Sequence, residues 1–172
     1  MLLQRLKRLW RHAWTDEADV RRAVPSALLQ RLMQRVGASE RRHSGEIRIH
    51  IEASLPWSYL WRDASARHRA VALFGKLRVW DTEHNNGVLI YVLLAERAIE
   101  LVADRGVARF VDAAVWRDTV ARLGVALRQD RFEDGLTQAL QEVSAVLVAH
   151  FPAADEAPGA AVNQLPDEPV LR

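Results

Sequence analysis

Glu46, Asp81, Thr82, Glu83, Asn85, Asn86, Asp104 and Asp112 form an oxygen-rich set beside three stretches that read as β-strands. Carboxylate and amide oxygens suit hard cations, so the ion expected here is calcium or magnesium rather than zinc. Glu46, Asp104 and Asp112 are the candidate metal ligands. A divalent ion on them would polarise a bound water. Asp81, Thr82, Glu83, Asn85, Asn86 and Gly87, with Arg105 and Gly106, complete the candidate loops. The same residue types also make plain turns: Asn85-Asn86-Gly87 tolerates left-handed backbone, and Asp104-Arg105-Gly106 is a common turn composition. Other chemistries are poorly served. The chain has no Cys, its six His are scattered without metal-ligand spacing, and it lacks the phosphate-loop, dinucleotide, HExxH and GxSxG motifs. No catalytic nucleophile or general base is identifiable from the residues.

The elements that must position this set centre on Trp80–Gly106. Val88–Leu94 is an unbroken apolar run of strand length, and Ile99, Leu101 and Ala103 alternate with Glu100, Val102 and Asp104. These predict an antiparallel hairpin. A further strand is predicted over Gly45–Ser54, where Ile47, Ile49, Ile51 and Ala53 point one way. Its other row, Glu46, Arg48, His50 and Glu52, is expected to be a solvated face or an ion-pair ladder. Helical spacing predicts helices from Pro25 to about Arg42–Ser44, from an Asp63 cap to about Val79, over about Ala113–Arg128 and over about Phe132–His150. Trp57–Trp61 reads as an aromatic loop, and Ala153–Arg172 as a tail with little secondary structure. The expected fold is α/β, a mixed β-sheet with helices on both faces (an αβα sandwich), plus an N-terminal amphipathic helix.

That N-terminal helix carries the charge asymmetry of the chain. The formal net charge is +2, but the first 48 residues carry about +6 and the remainder about −4. Within Met1–Trp14, a stripe of Leu and Trp alternates with basic residues, so Arg5, Lys7, Arg8, Trp10 and Trp14 are candidates for an anionic membrane surface. The competing expectation is that the stripe packs on its own domain. Arg5 and Lys7 interrupt any signal-peptide core, and no run is long enough to span a bilayer, so a cytoplasmic, membrane-associated location is expected. No recognised nucleic-acid-binding motif is present. The organisation expected is an N-terminal helical segment (1–42), an α/β domain (43–152) and a tail (153–172).

HSGEI at His43–Ile47, NNGVLIYV at Asn85–Val92, ADRGV at Ala103–Val107, FEDGL at Phe132–Leu136 and HFP at His150–Pro152, taken as an ordered set, resemble the TPM domain family. That family includes thylakoid-lumen acid phosphatases, photosystem II repair proteins and a receptor-modulating membrane protein. The final NQLPDEP at Asn163–Pro169 resembles the tail of its shorter bacterial members. The resemblance implies an α/β sandwich, a divalent-metal site and, in some members, phosphatase activity. By position, Gly106 resembles the glycine of the family's turn and Asp112 the acidic residue after it. Two functions follow as expectations: a non-catalytic module that assists assembly with a protein partner, or a metal-assisted phosphatase.

Overall fold

A computed structural model describes residues 2–153 and 164–172, the side chain of Leu2 excepted. The chain order is α1 (Leu2–Trp14), α2 (Glu17–Ala23), α3 (Ser26–Glu40), β1 (Ile47–Glu52), α4 (Trp57–Trp61), α5 (Ala66–Lys76) and β2 (Val88–Leu93). Then come β3 (Ala98–Ala103), α6 (Arg105–Ala108), α7 (Ala113–Arg128), α8 (Phe132–His150) and β4 (Val170–Leu171). The strands form one mixed sheet in the order β3-β2-β1-β4. β1 runs parallel to both β2 and β4, and β2 pairs antiparallel with β3 through a one-turn reversal at Leu94–Glu96.

Alternation along the strands divides the core into two layers. Ile47, Ile49, Ile51, Val88, Ile90 and Val92 face one way and pack with Leu28 and Leu32 of α3 and Leu136, Leu140 and Val143 of α8. Leu89, Tyr91, Leu93 and Val102 face the other way, onto Ala70 and Leu73 of α5. Both faces of β2 are therefore covered, which explains its continuous apolar run. The sheet with helices on both faces is the expected α/β architecture.

Local chemistry sets most boundaries. Asp16 caps α2 by accepting from the amides of Ala18 and Asp19, and Asp112 caps α7 by accepting from Ala114. Three expectations need correction. Ser65, not Asp63, caps α5, because Asp63 lies in left-handed backbone before the helix. Trp57–Trp61 forms a short helix after Pro56 rather than a loop. The tail is also structured where it is described. Gln164 and Leu165 donate their amides to Glu46, and Val170 and Leu171 then add β4 beside His50 and Ile51 of β1. Residues 164–172 thus make a strap along β1. The expected irregularity of 154–163 lies outside the described residues.

Candidate functional site

Strand direction decides which acidic residues can meet. Glu46 precedes β1, Gly87 precedes the parallel β2, and Asp104 follows the antiparallel β3, so all three lie at one end of the sheet. The ladder runs through them: Val88 N–H donates to the Glu46 carbonyl at 2.8 Å, and Asp104 N–H donates to the Gly87 carbonyl at 2.9 Å. The loop before β2 folds onto this end. Thr82 Oγ accepts from Asn86 N–H at 3.0 Å, and Asn85 takes left-handed backbone with φ 52°. The Asn85 carbonyl accepts from Gly106 N–H at 2.9 Å. A Cβ on Gly106 would stand 2.5 Å from that carbonyl oxygen and 2.7 Å from the His84 carbonyl oxygen. The close approach, rather than a turn angle, is why glycine occupies this position.

Asp104 is buried at the centre of this arrangement. Its Oδ1 accepts from Arg105 N–H at 2.6 Å, whereas its Oδ2 is buried without a hydrogen-bond partner. An unpartnered buried carboxylate oxygen is costly unless a cation or a donor reaches it. A carboxylate oxygen is a hard donor, so calcium or magnesium is the kind of cation that would suit it.

The other candidates are placed differently. The Glu46 carboxylate accepts the Gln164 and Leu165 amides at 3.0 and 3.2 Å, and burial raises its pKa. Asp112 is exposed at the start of α7, with Oδ1 2.7 Å from Ala114 N. Asp81 is exposed and paired with Arg78, and Arg105 donates to Asn85 Oδ1 at 3.3 Å. Glu83 is exposed, its amide donating to Gln164 Oε1 at 3.1 Å, while Asn86 Nδ2 donates to Ser44 Oγ at 3.3 Å. Among the described residues, no group of three or more His, Asp or Glu side chains is arranged to hold a metal ion. Asp104, Asn85, Arg105 and Gly106 are brought together; Glu46 and Asp112 do not join Asp104 in such a group.

Two polar clusters escaped the sequence reading. On β1, Glu52 is buried and receives two bonds from Arg69 of α5, at 2.9 and 2.6 Å, and one from the Tyr91 hydroxyl at 2.8 Å. Burial raises the pKa of that hydroxyl, so it donates. The row Glu46, Arg48, His50 and Glu52 is therefore largely covered, not a solvated face: Arg48 is half-buried and the others are buried. The second cluster joins α3 to α8. His43 shares its Nδ1 with the Gly45 carbonyl at 2.9 Å and its Nε2 with Ser39 Oγ at 2.8 Å. Ser39 in turn bonds Ser144 at 2.7 Å. The carbonyl can only accept, so Nδ1 carries the proton and Nε2 faces the serine hydroxyl. Burial holds His43 neutral, its pKa lowered to about 4. All three side chains are buried, so this serine–histidine contact is closed to substrate and acts as a pin. The one sequence sign of the first cluster was a tyrosine inside the otherwise aliphatic β2.

The N-terminal candidates split in two. Arg8 bonds Glu96 and Asp63, each at 2.7 Å, and the Ala64 carbonyl at 2.6 Å. Arg5 lies 3.9 Å from Asp63. His12 is buried, with Nε2 3.0 Å from Glu96 and Nδ1 accepting from Leu55 N–H at 3.1 Å. Lys7, Trp10 and Trp14 are exposed.

The TPM domain profile matches residues 19–146, close to three quarters of the chain. The chain belongs to the TPM domain family. Among curated proteins, none matches it. The solved structure of BA42 protein from the psychrophilic bacterium Bizionia argentinensis is 24% identical, with a TM-score of 0.69, covering 83% of this chain and 91% of that one. The N-terminal domain of a protein from P. gingivalis is 20% identical, with a TM-score of 0.58, covering 74% and 81% respectively. At these identities the two structures establish the fold alone. This TPM domain begins within α2, so the profile leaves α1 outside it.

Proposed function

We propose that this TPM domain is a non-catalytic module that assists the assembly of a protein partner, and that a calcium or magnesium ion binds at the Asp104 end of its sheet. The observation that carries the reading is the buried, unpartnered Oδ2 of Asp104 at the end of the sheet. Asp104 would hold the ion, and the ion would supply the positive charge that a buried carboxylate needs. The non-catalytic part is supported by how the reactive groups are spent. Glu46 anchors the strap, Glu52 is locked to Arg69, and His43 and Ser39 are sealed in the core. Asp104 itself holds the first amide of α6 and orders the turn that Gly106 packs against the loop.

The test is calcium and magnesium titration of chelator-treated protein, read by calorimetry and thermal unfolding, for wild type and Asp104→Asn. An ion at one hundred times its dissociation constant adds about 2.7 kcal/mol of stability to the wild type. Asp104→Asn removes that gain and keeps the fold. No heat and no shift in the wild type, or an equal shift in the variant, overturns the site. Metal-dependent hydrolysis of para-nitrophenyl phosphate that Asp104→Asn abolishes overturns the non-catalytic reading in favour of a phosphatase.

A further inference from the structure

Helix α1 is docked inside out. An amphipathic helix on a soluble domain normally buries its apolar stripe. Here Arg8 and His12 face the domain and are tied to Glu96, Asp63 and the Leu55 amide, while Leu9 is the apolar residue that packs inward. The apolar stripe faces out: Leu3 is 82% exposed, Leu6 54%, Trp10 63% and Trp14 71%. Trp10 and Trp14 stand one turn apart with ring centroids 5.4 Å from each other. A groove of about 410 Å³ between α1 and α4, lined by Leu6, Leu9, Leu60 and Trp61 together with the Arg5, Arg8 and Asp63 cluster, continues the surface to Trp61, which is 86% exposed.

We propose that this face, Leu3, Leu6, Trp10 and Trp14 of α1 with Trp61 of α4, is a peripheral docking surface for an anionic lipid membrane. Three observations favour lipid over a protein partner. Trp is the side chain that prefers the headgroup boundary, with an apolar ring and one polar N–H. α1 contains no Asp or Glu, and Lys7 and Arg11, exposed beside the stripe, give it the charge complementary to anionic headgroups. Arg8 and His12 are already engaged with the domain, so the stripe is left facing outward, as in an interfacial helix. Arg5 and Arg8 hold the helix to the domain and are not the lipid contacts. No helix among the described residues is long and apolar enough to cross a membrane, so the contact is peripheral. This surface is independent of the ion at Asp104.

Flotation of the full chain with vesicles of phosphatidylcholine alone, and of phosphatidylcholine with 30% phosphatidylglycerol, tests it. Binding to the anionic vesicles is expected, falling severalfold between roughly 0.1 and 0.5 M salt as Lys7 and Arg11 are screened. The double variant Trp10→Ala/Trp14→Ala and the single Leu6→Glu alter exposed positions and leave the circular dichroism unchanged. Each is expected to lower vesicle binding by about tenfold or more. Equal binding of wild type and both variants overturns the proposal, as does absence of binding to either vesicle. Concentration-dependent self-association abolished by Leu6→Glu, without vesicle binding, assigns the face to a second copy of the chain and overturns the lipid reading.

Discussion

Arg69 grips Glu52 with two nitrogens, at 2.9 and 2.6 Å, across the buried interface between α5 and the sheet. The guanidinium also lies 5.2 Å from the Tyr59 ring centroid, and Tyr91 completes the carboxylate's hydrogen bonding. Removing either partner strands the other charge in the core. Arg69→Met and Glu52→Leu are each expected to cost about 3–5 kcal/mol, while the double variant costs less than either single one. Denaturant unfolding of the three proteins measures this, and additive losses would show that the pair is not coupled.

Stability should pass through a maximum near pH 6.5. Burial lowers the pKa of both His43 and His50 to about 4, against 6.5 for an ordinary imidazole. Between those values the unfolded chain takes up protons that the folded chain refuses. The stability is therefore intact above pH 6.5 and falls as the pH drops toward 4. Glu40 works in the opposite sense: burial raises its carboxyl to about 8, from 4.5. Its contribution is complete below pH 4.5 and is lost as the pH rises through 8. Urea midpoints from pH 4 to 9 should trace both limbs, and a flat profile between 4 and 6.5 contradicts the histidine assignment.

His50→Phe isolates one of those histidines. Both nitrogens of His50 are buried without partners, and the ring stacks on Tyr91 at 5.9 Å. Glu52, Arg48, Arg69 and Arg172 supply the charges around it. Phenylalanine keeps the stacking and removes two unsatisfied nitrogens, so neutral stability should hold or rise. The acid limb should shrink by about 3 kcal/mol. An unchanged acid limb would mean that His50 is not the group taking up the proton.

Two glycines should respond oppositely to alanine. A Cβ on Gly106 meets the carbonyl oxygens of Asn85 and His84, and backbone must move to admit it. A loss of about 1–3 kcal/mol is expected. At Gly75 in α5 nothing lies within 4 Å of the new atom. Alanine there should stabilise the protein by about 0.5–1 kcal/mol through helix propensity. Thermal unfolding of the pair ranks them directly.

Much of this architecture was legible in the chain. α7 and α8 lie where apolar spacing and a terminal Phe-Pro placed them, because those signals act within a few residues. The hairpin of β2 and β3 likewise followed from local pattern. What local pattern could not supply was the identity of distant partners. The polar row of β1 looked solvated because Arg69, Tyr91 and the strap that cover it come from far along the sequence. Periodicity also gave α1 its two faces without saying which would turn inward, and the ion pairs with Asp63 and Glu96 decided that. At the candidate site, Asp104 was legible as a strand-end carboxylate. Glu46 and Asp112 were legible only as acids, since their occupation by the strap and by the α7 amide depends on geometry.

The strap carries a consequence for the order in which the molecule assembles. Its anchor on Glu46 joins residues 118 positions apart, among the longest-range contacts in the fold. Closing so long a loop costs more entropy than forming local contacts, so the central strands and their helices are expected to form before the strap arrives. Until then Glu46, Arg48 and His50 line an open edge of β1, hydrated and free to recruit a stray strand from another chain. The final step of folding is then the one that closes the aggregation-prone edge. Refolding at high protein concentration should divert a fraction of chains into oligomers before the last kinetic phase, and Glu46→Ala, which loosens the strap's anchor, should enlarge that fraction.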